Sequence, residues 1–114
     1  MTIQAAAQSV DICVDDEDGM TSLFIKWGTS GQYIDLTRGE GCTHVHCELC
    51  DQSNGREFDS LTYHYHDRRL VIEVSSPESL MEESQENRVE MDLSEIEFDE
   101  YAFVVCLKHL FQRG

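Results

Sequence analysis

Hydrophobic positions recur along this chain mostly with period two, and only near its end with the three-and-four spacing of a helix. Val10, Ile12 and Val14 alternate with Asp11 and Cys13, which predicts a short strand. Residues Leu23 to Trp27 and Tyr33 to Leu36 are two further extended runs flanking Gly28-Thr29-Ser30-Gly31. Pairing Trp27 with Gln32 sets Ile25 opposite Ile34 and Leu23 opposite Leu36, so one face of this hairpin is consistently apolar.

Farther on, Val45, Cys47 and Leu49 alternate with His44, His46 and Glu48, and Leu61, Tyr63 and Tyr65 alternate with Thr62, His64 and His66. A tight turn at Ser53-Asn54-Gly55 would pair Gln52 with Arg56, Val45 with Tyr63, Cys47 with Leu61 and His44 with His64. A second turn at Asp67-Arg68 places Tyr65 against Leu70, Tyr63 against Ile72 and Leu61 against Val74. Residues 43 to 74 therefore read as a three-stranded meander with one buried face.

Ser76-Pro77-Glu78 is a helix-start signal, and predicts a short helix over 77–86. Val89, Met91 and Leu93 alternate again as a strand. A last helix is expected from about Glu97 to Gln112, with Phe103, Cys106, Leu107 and Leu110 as its core stripe. Its acids, Glu97, Asp99 and Glu100, lead, and Lys108, His109 and Arg113 follow, as the helix dipole prefers. The expected fold class is α+β: an antiparallel meander of about six strands with the C-terminal helix packed on one face. Residues 1–8 read as a frayed end, and residues 9–114 as one domain.

Charge narrows the function. Eight Lys plus Arg stand against 23 Asp plus Glu, a formal net charge of −15. A field of that sign repels nucleic acid and anionic lipid and attracts basic proteins. No stretch resembles a signal peptide or a membrane span, and five cysteines without framework spacing fit a reduced, cytoplasmic protein.

Two constellations could carry chemistry. The segment Cys42-Thr43-His44-Val45-His46-Cys47-Glu48-Leu49-Cys50 brings two histidines beside a Cys-x-x-Cys spacing. If His64 and His66 lie across the hairpin, four imidazoles share one face, and a zinc-type metal module built on residues 42–66 is the alternative reading, with Cys42 or Cys50 as helpers. The absence of a second Cys-x-x-Cys, and an alternation that sends Cys47 inward while the histidines point out, argue for a solvated face and no bound cofactor. Nothing marks a nucleophile with an oxyanion hole or a phosphate-binding loop, so catalysis is not expected. The acids are the stronger candidates. Asp15, Asp16, Glu17 and Asp18 are consecutive, and Glu78 to Glu100 holds ten acids against Arg88. Of these, Glu82, Glu83, Glu86, Glu90 and Asp92 are expected to join Asp15–Asp18 as a partner-binding surface.

The run Asp67-Arg68-Arg69-Leu70-Val71-Ile72-Glu73-Val74, then Arg88-Val89-Glu90-Met91-Asp92-Leu93, then Glu97-Phe98 leading into a helix that closes Leu107-Lys108-His109-Leu110-Phe111, resembles the immunity proteins of bacterial polymorphic-toxin systems, in particular their tenth numbered family. The likeness covers about residues 60 to 112. It implies a cytoplasmic antitoxin that binds a cognate toxin and blocks its active site. The acidic balance agrees, because a toxin acting on nucleic acid needs a basic cleft.

Overall fold

The computed structural model describes residues 2–14, 19–28, 31–39, 44–50, 55–58, 61–74 and 87–111. Eight strands run in chain order: β1 (Thr2–Cys13), β2 (Met20–Trp27), β3 (Gln32–Gly39), β4 (Val45–Leu49), β5 (Arg56–Phe58), β6 (Thr62–His66), β7 (Arg69–Glu73) and β8 (Arg88–Asp92). Among the described residues one helix, α1 (Glu100–Phe111), follows them. The strands form one sheet in the order β5-β4-β3-β2-β1-β8-β7-β6.

This corrects the six-stranded antiparallel meander. The sheet is mixed, because the first part of β1 pairs in parallel with β8, Thr2 opposite Arg88 through Ala6 opposite Asp92. The second part of β1 pairs antiparallel with β2 after a register shift between Ala7 and Ser9. One strand thus serves both halves of the sheet, and the irregularity at residues 7–9 lets it change partners. Of residues 1–8, expected to fray, Thr2–Ala6 pair with β8 and Ala7 with Trp27. The short helix expected over 77–86 lies outside the described residues.

The pairing expected across residues 45–65 is also corrected. β4 takes β3 on one side and β5 on the other, with Val45 opposite Phe58, His46 opposite Glu57 and Cys47 opposite Arg56. β6 pairs with β7 alone, at the far edge of the sheet. Period-two alternation fixes which face a side chain takes but not which strand lies beside it, and Phe58 meets the apolar demand as well as Tyr63 would.

The other registers stand as read. Trp27 meets Gln32, Ile25 meets Ile34 and Leu23 meets Leu36. Tyr65 meets Leu70 and Tyr63 meets Ile72. Asp67 and Arg68 take φ of 52° and 60°, both positive, the conformation that a two-residue hairpin matched to right-handed strand twist requires.

Chain connectivity sets the curvature. A flat sheet of eight strands would separate its edges by about 34 Å at ~4.8 Å per strand. Yet Phe58, ending edge strand β5, is three residues from Leu61, which precedes edge strand β6, a reach of at most about 11 Å. The sheet is therefore bent back on itself with its apolar face inward. That face buries Leu23, Ile25, Ile34, Leu36, Leu49, Leu70, Ile72, Met91 and Leu93.

The helix fills the fold. Asp99 caps it, its Oδ1 accepting from the Ala102 amide at 3.0 Å. Phe103, Cys106, Leu107 and Leu110 are buried, the stripe expected from their spacing. The Cys106 thiol donates to the Ser22 carbonyl at 3.4 Å. Arg38 of β3 donates to the His109 and Leu110 carbonyls at the helix end. On the opposite edge Tyr65 packs on Phe103 with ring centroids 5.1 Å apart, and Tyr63 on Phe111 at 4.6 Å. The same helix touches β2 and β3 in one half of the sheet and β6 at the end of the other.

Candidate functional site

With one face of the sheet committed to the core, the alternate positions of every strand face outward. Every described strand acid occupies such a position: Asp11, Asp35, Glu48, Glu57, Glu73, Glu90 and Asp92. The two halves of the sheet treat these acids differently.

On the β1–β8–β7–β6 half the carboxylates are engaged within the chain. Glu73 pairs with Arg88 at 3.2 Å, and Glu90 with Arg88 at 3.5 Å. Glu90 also accepts from the Gln4 amide at 3.2 Å. Asp92 accepts from the Ser94 amide at 2.9 Å, and its pKa is held below the ordinary carboxylate value chiefly by hydrogen bonds from the Ser94 side chain and backbone. Its cross-strand neighbour is Arg69. Gln4, Ala5, Arg69, Glu90 and Asp92 line a shallow depression of about 150 Å³. Of the surface acids expected from sequence, Glu90 and Asp92 are therefore on the outer face but partly occupied. Asp15, Asp16, Glu17, Asp18, Glu82, Glu83 and Glu86 lie outside the described residues.

The β1–β5 half carries its acids without a paired Lys or Arg among the described residues. Asp11, Phe24, Asp35 and Glu48 form one row across four strands, each directly opposite the next. Asp35 and Glu48 are a like-charged cross-strand pair, an arrangement that costs a few tenths to about 1 kcal/mol. No Lys or Arg lies within ion-pair distance of either among the described residues. Burial raises the Asp35 pKa above its ordinary value, the Glu48 charge raises it further, and His46 pulls it partly back. Tyr33 ties the group together. Its hydroxyl donates to Glu48 Oε2 at 2.6 Å, and its ring stacks on Phe24 with centroids 5.3 Å apart and planes 22° from parallel. Glu57 lies beside His46 on the next strand pair.

Sequence reading did not single out this constellation, because its members sit on four strands and become neighbours only through the β1–β2–β3–β4 order. One signal was available. Leu23-Phe24-Ile25 breaks the alternation and puts an aromatic ring on the wet side of β2.

A third acidic group precedes and opens α1, where Glu95, Glu97, Asp99 and Glu100 are exposed beside Tyr101, 81% exposed. Two of these have local tasks: Asp99 caps the helix, and Glu100 accepts from the Tyr65 hydroxyl at 2.7 Å.

The four-imidazole face is corrected. His46 sits between Thr37 and Glu57 on β4, whereas His64 and His66 lie opposite Val71 and Arg69 on β6. The His64 and His66 rings are 6.5 Å apart. Among the described residues no three His, Cys, Asp or Glu side chains are grouped to hold a metal ion; Cys42 lies outside them. Cys47 and Cys106 are buried, Cys50 is intermediate and Cys13 is exposed, all as free thiols. Burial, with a smaller contribution from Cys13, pushes the Cys106 thiol up to about 11.

No protein-family model, curated protein or solved structure matches this chain. No helix among the described residues is long and apolar enough to cross a membrane. The described residues form a curled mixed sheet around one helix, with an outward face rich in carboxylates.

Proposed function

We propose that this chain is a cytoplasmic binding protein of the immunity type, which docks acidic surface on a basic partner and blocks that partner's functional cleft. The observation that carries the reading is the placement of every described strand acid on the outer face of one sheet, within a chain of net charge −15. A cationic cleft gains favourable charge pairs across such a face, and the long-range field raises the rate of encounter. Lys26, Arg69 and Arg88 are the described cations on that face, too few to neutralise it. The resemblance of residues 60 to 112 to toxin-immunity proteins supplies the partner class: a toxin whose own substrate is anionic.

The test is kinetic. The chain is mixed with the C-terminal domain of any secreted protein found to be encoded beside its gene, and association is followed by stopped flow at about 50 and about 500 mM salt. The rate is expected to fall by roughly tenfold or more as screening shortens the reach of the field, and the toxin's activity to be inhibited stoichiometrically. An association rate indifferent to salt, or a complex in which the toxin stays active, overturns the proposal.

A further inference from the structure

The outward surface of β2, β3 and β4 differs from the other acidic surfaces in combining three properties. Its carboxylates Asp35 and Glu48 face each other with no Lys or Arg at ion-pair distance among the described residues. An aromatic pair, Phe24 on Tyr33, lies in the same and the adjoining row. The Tyr33 hydroxyl holds Glu48 in place, so the group is organised before anything binds. We infer that this face is the seat of an arginine-bearing segment of the cationic partner, with a guanidinium laid over the Phe24–Tyr33 pair and its donors directed at Asp35 and Glu48.

Each part answers a property of arginine rather than of lysine. A guanidinium is planar and weakly hydrated, stacks on aromatic faces, and presents a fork of donors to two acceptors, whereas an ammonium is a compact, strongly hydrated point charge. A cation between Asp35 and Glu48 also converts their mutual repulsion into two attractions. Burial and then the Glu48 charge raise the Asp35 pKa, and His46 offsets only part of this, so the ionised form is incompletely compensated in the free protein. The surface on β8 offers less, because Arg88 and Ser94 already engage Glu90 and Asp92. The helix start presents Glu95, Glu97 and Tyr101, but among the described residues it has no stacked ring pair beside directly opposed carboxylates.

This inference rests on the reading that the partner is cationic and adds the face and the side chain. It is tested on the whole chain by amide chemical-shift titration with octa-arginine and octa-lysine peptides at low salt. Perturbations are expected at Phe24, Tyr33, Asp35 and Glu48, with octa-arginine binding roughly fivefold or more tightly than octa-lysine. Phe24→Ala and the double variant Asp35→Asn, Glu48→Gln should each weaken octa-arginine about tenfold, against less than about twofold for Glu90→Gln with Asp92→Asn. Both sets change outward-facing side chains, and an unaltered far-ultraviolet spectrum checks folding; if Phe24→Ala does not fold, the double variant decides. Perturbations centred on β8 or on residues 95–101, or equal affinity for the two peptides, overturn the inference while leaving a cationic partner in place. Absence of binding by either peptide removes both.

Discussion

Replacing Phe103 by alanine probes whether the helix is part of the core or an attachment to it. The ring is fully buried and touches Tyr65 of β6 at 5.1 Å and Phe98 at 5.2 Å between centroids. Removing a buried phenyl ring costs about 3–5 kcal/mol, the transfer loss plus the cavity left behind. The upper part of that range applies here, because the ring is packed between the edge strand and the segment leading into the helix, and neither can close the gap alone. At an unfolding entropy of about 2.1 cal/mol/K per residue, 114 residues give roughly 0.24 kcal/mol/K, so a loss of ~4 kcal/mol lowers Tm by about 17 °C. Urea unfolding monitored by Trp27, buried on β2 and the single tryptophan, reads the effect from the far half of the sheet. The midpoint should fall while the slope stays unchanged. A loss below about 1 kcal/mol, or a β6 that becomes exchange-labile while Trp27 reports an unaltered midpoint, would show that the two halves do not share one core.

Asp35→Asn should stabilise the free protein at pH 7, because Asp35 carries a raised pKa in the folded state. The cost of its ionisation is present in full above the folded pKa and disappears as pH falls toward the unfolded value of 3.8, so the variant's advantage should fade over that interval; equal or lower stability at pH 7 refutes the assignment. Thiol labelling of the native protein at pH 7 should reach exposed Cys13 quickly and spare Cys106, whose buried thiol stays protonated, until the chain is unfolded; prompt labelling of Cys106 contradicts its place in the core.

The sequence exposes local pairings and hides distant ones. The β2–β3 and β6–β7 registers follow from alternation and a nearby turn, since a one-residue slip would turn Ile25 or Ile72 out to water. The helix stripe follows from the 3.6-residue period. Residues 2–6 give no comparable signal. Thr-Ile-Gln-Ala-Ala is weakly strand-forming, and its parallel partner is 86 residues away, so only the folded chain reveals it. β5, three residues long, has too few positions to show a period. The acidic runs are legible because their residues lie close together along the chain, whereas Asp35 and Glu48 sit on different strands and become opposed only across the β3–β4 ladder.

Sharing β1 between two partners has a consequence for biosynthesis. As the chain leaves the ribosome, Ala7–Cys13 can meet β2 almost at once, but Thr2–Ala6 must wait until Arg88–Asp92 has emerged. During that interval the nascent protein carries an open edge with Ile3 and Ala5 on it, so this segment waits on a partner made much later, and holding it unaggregated falls to the cell until β8 has emerged.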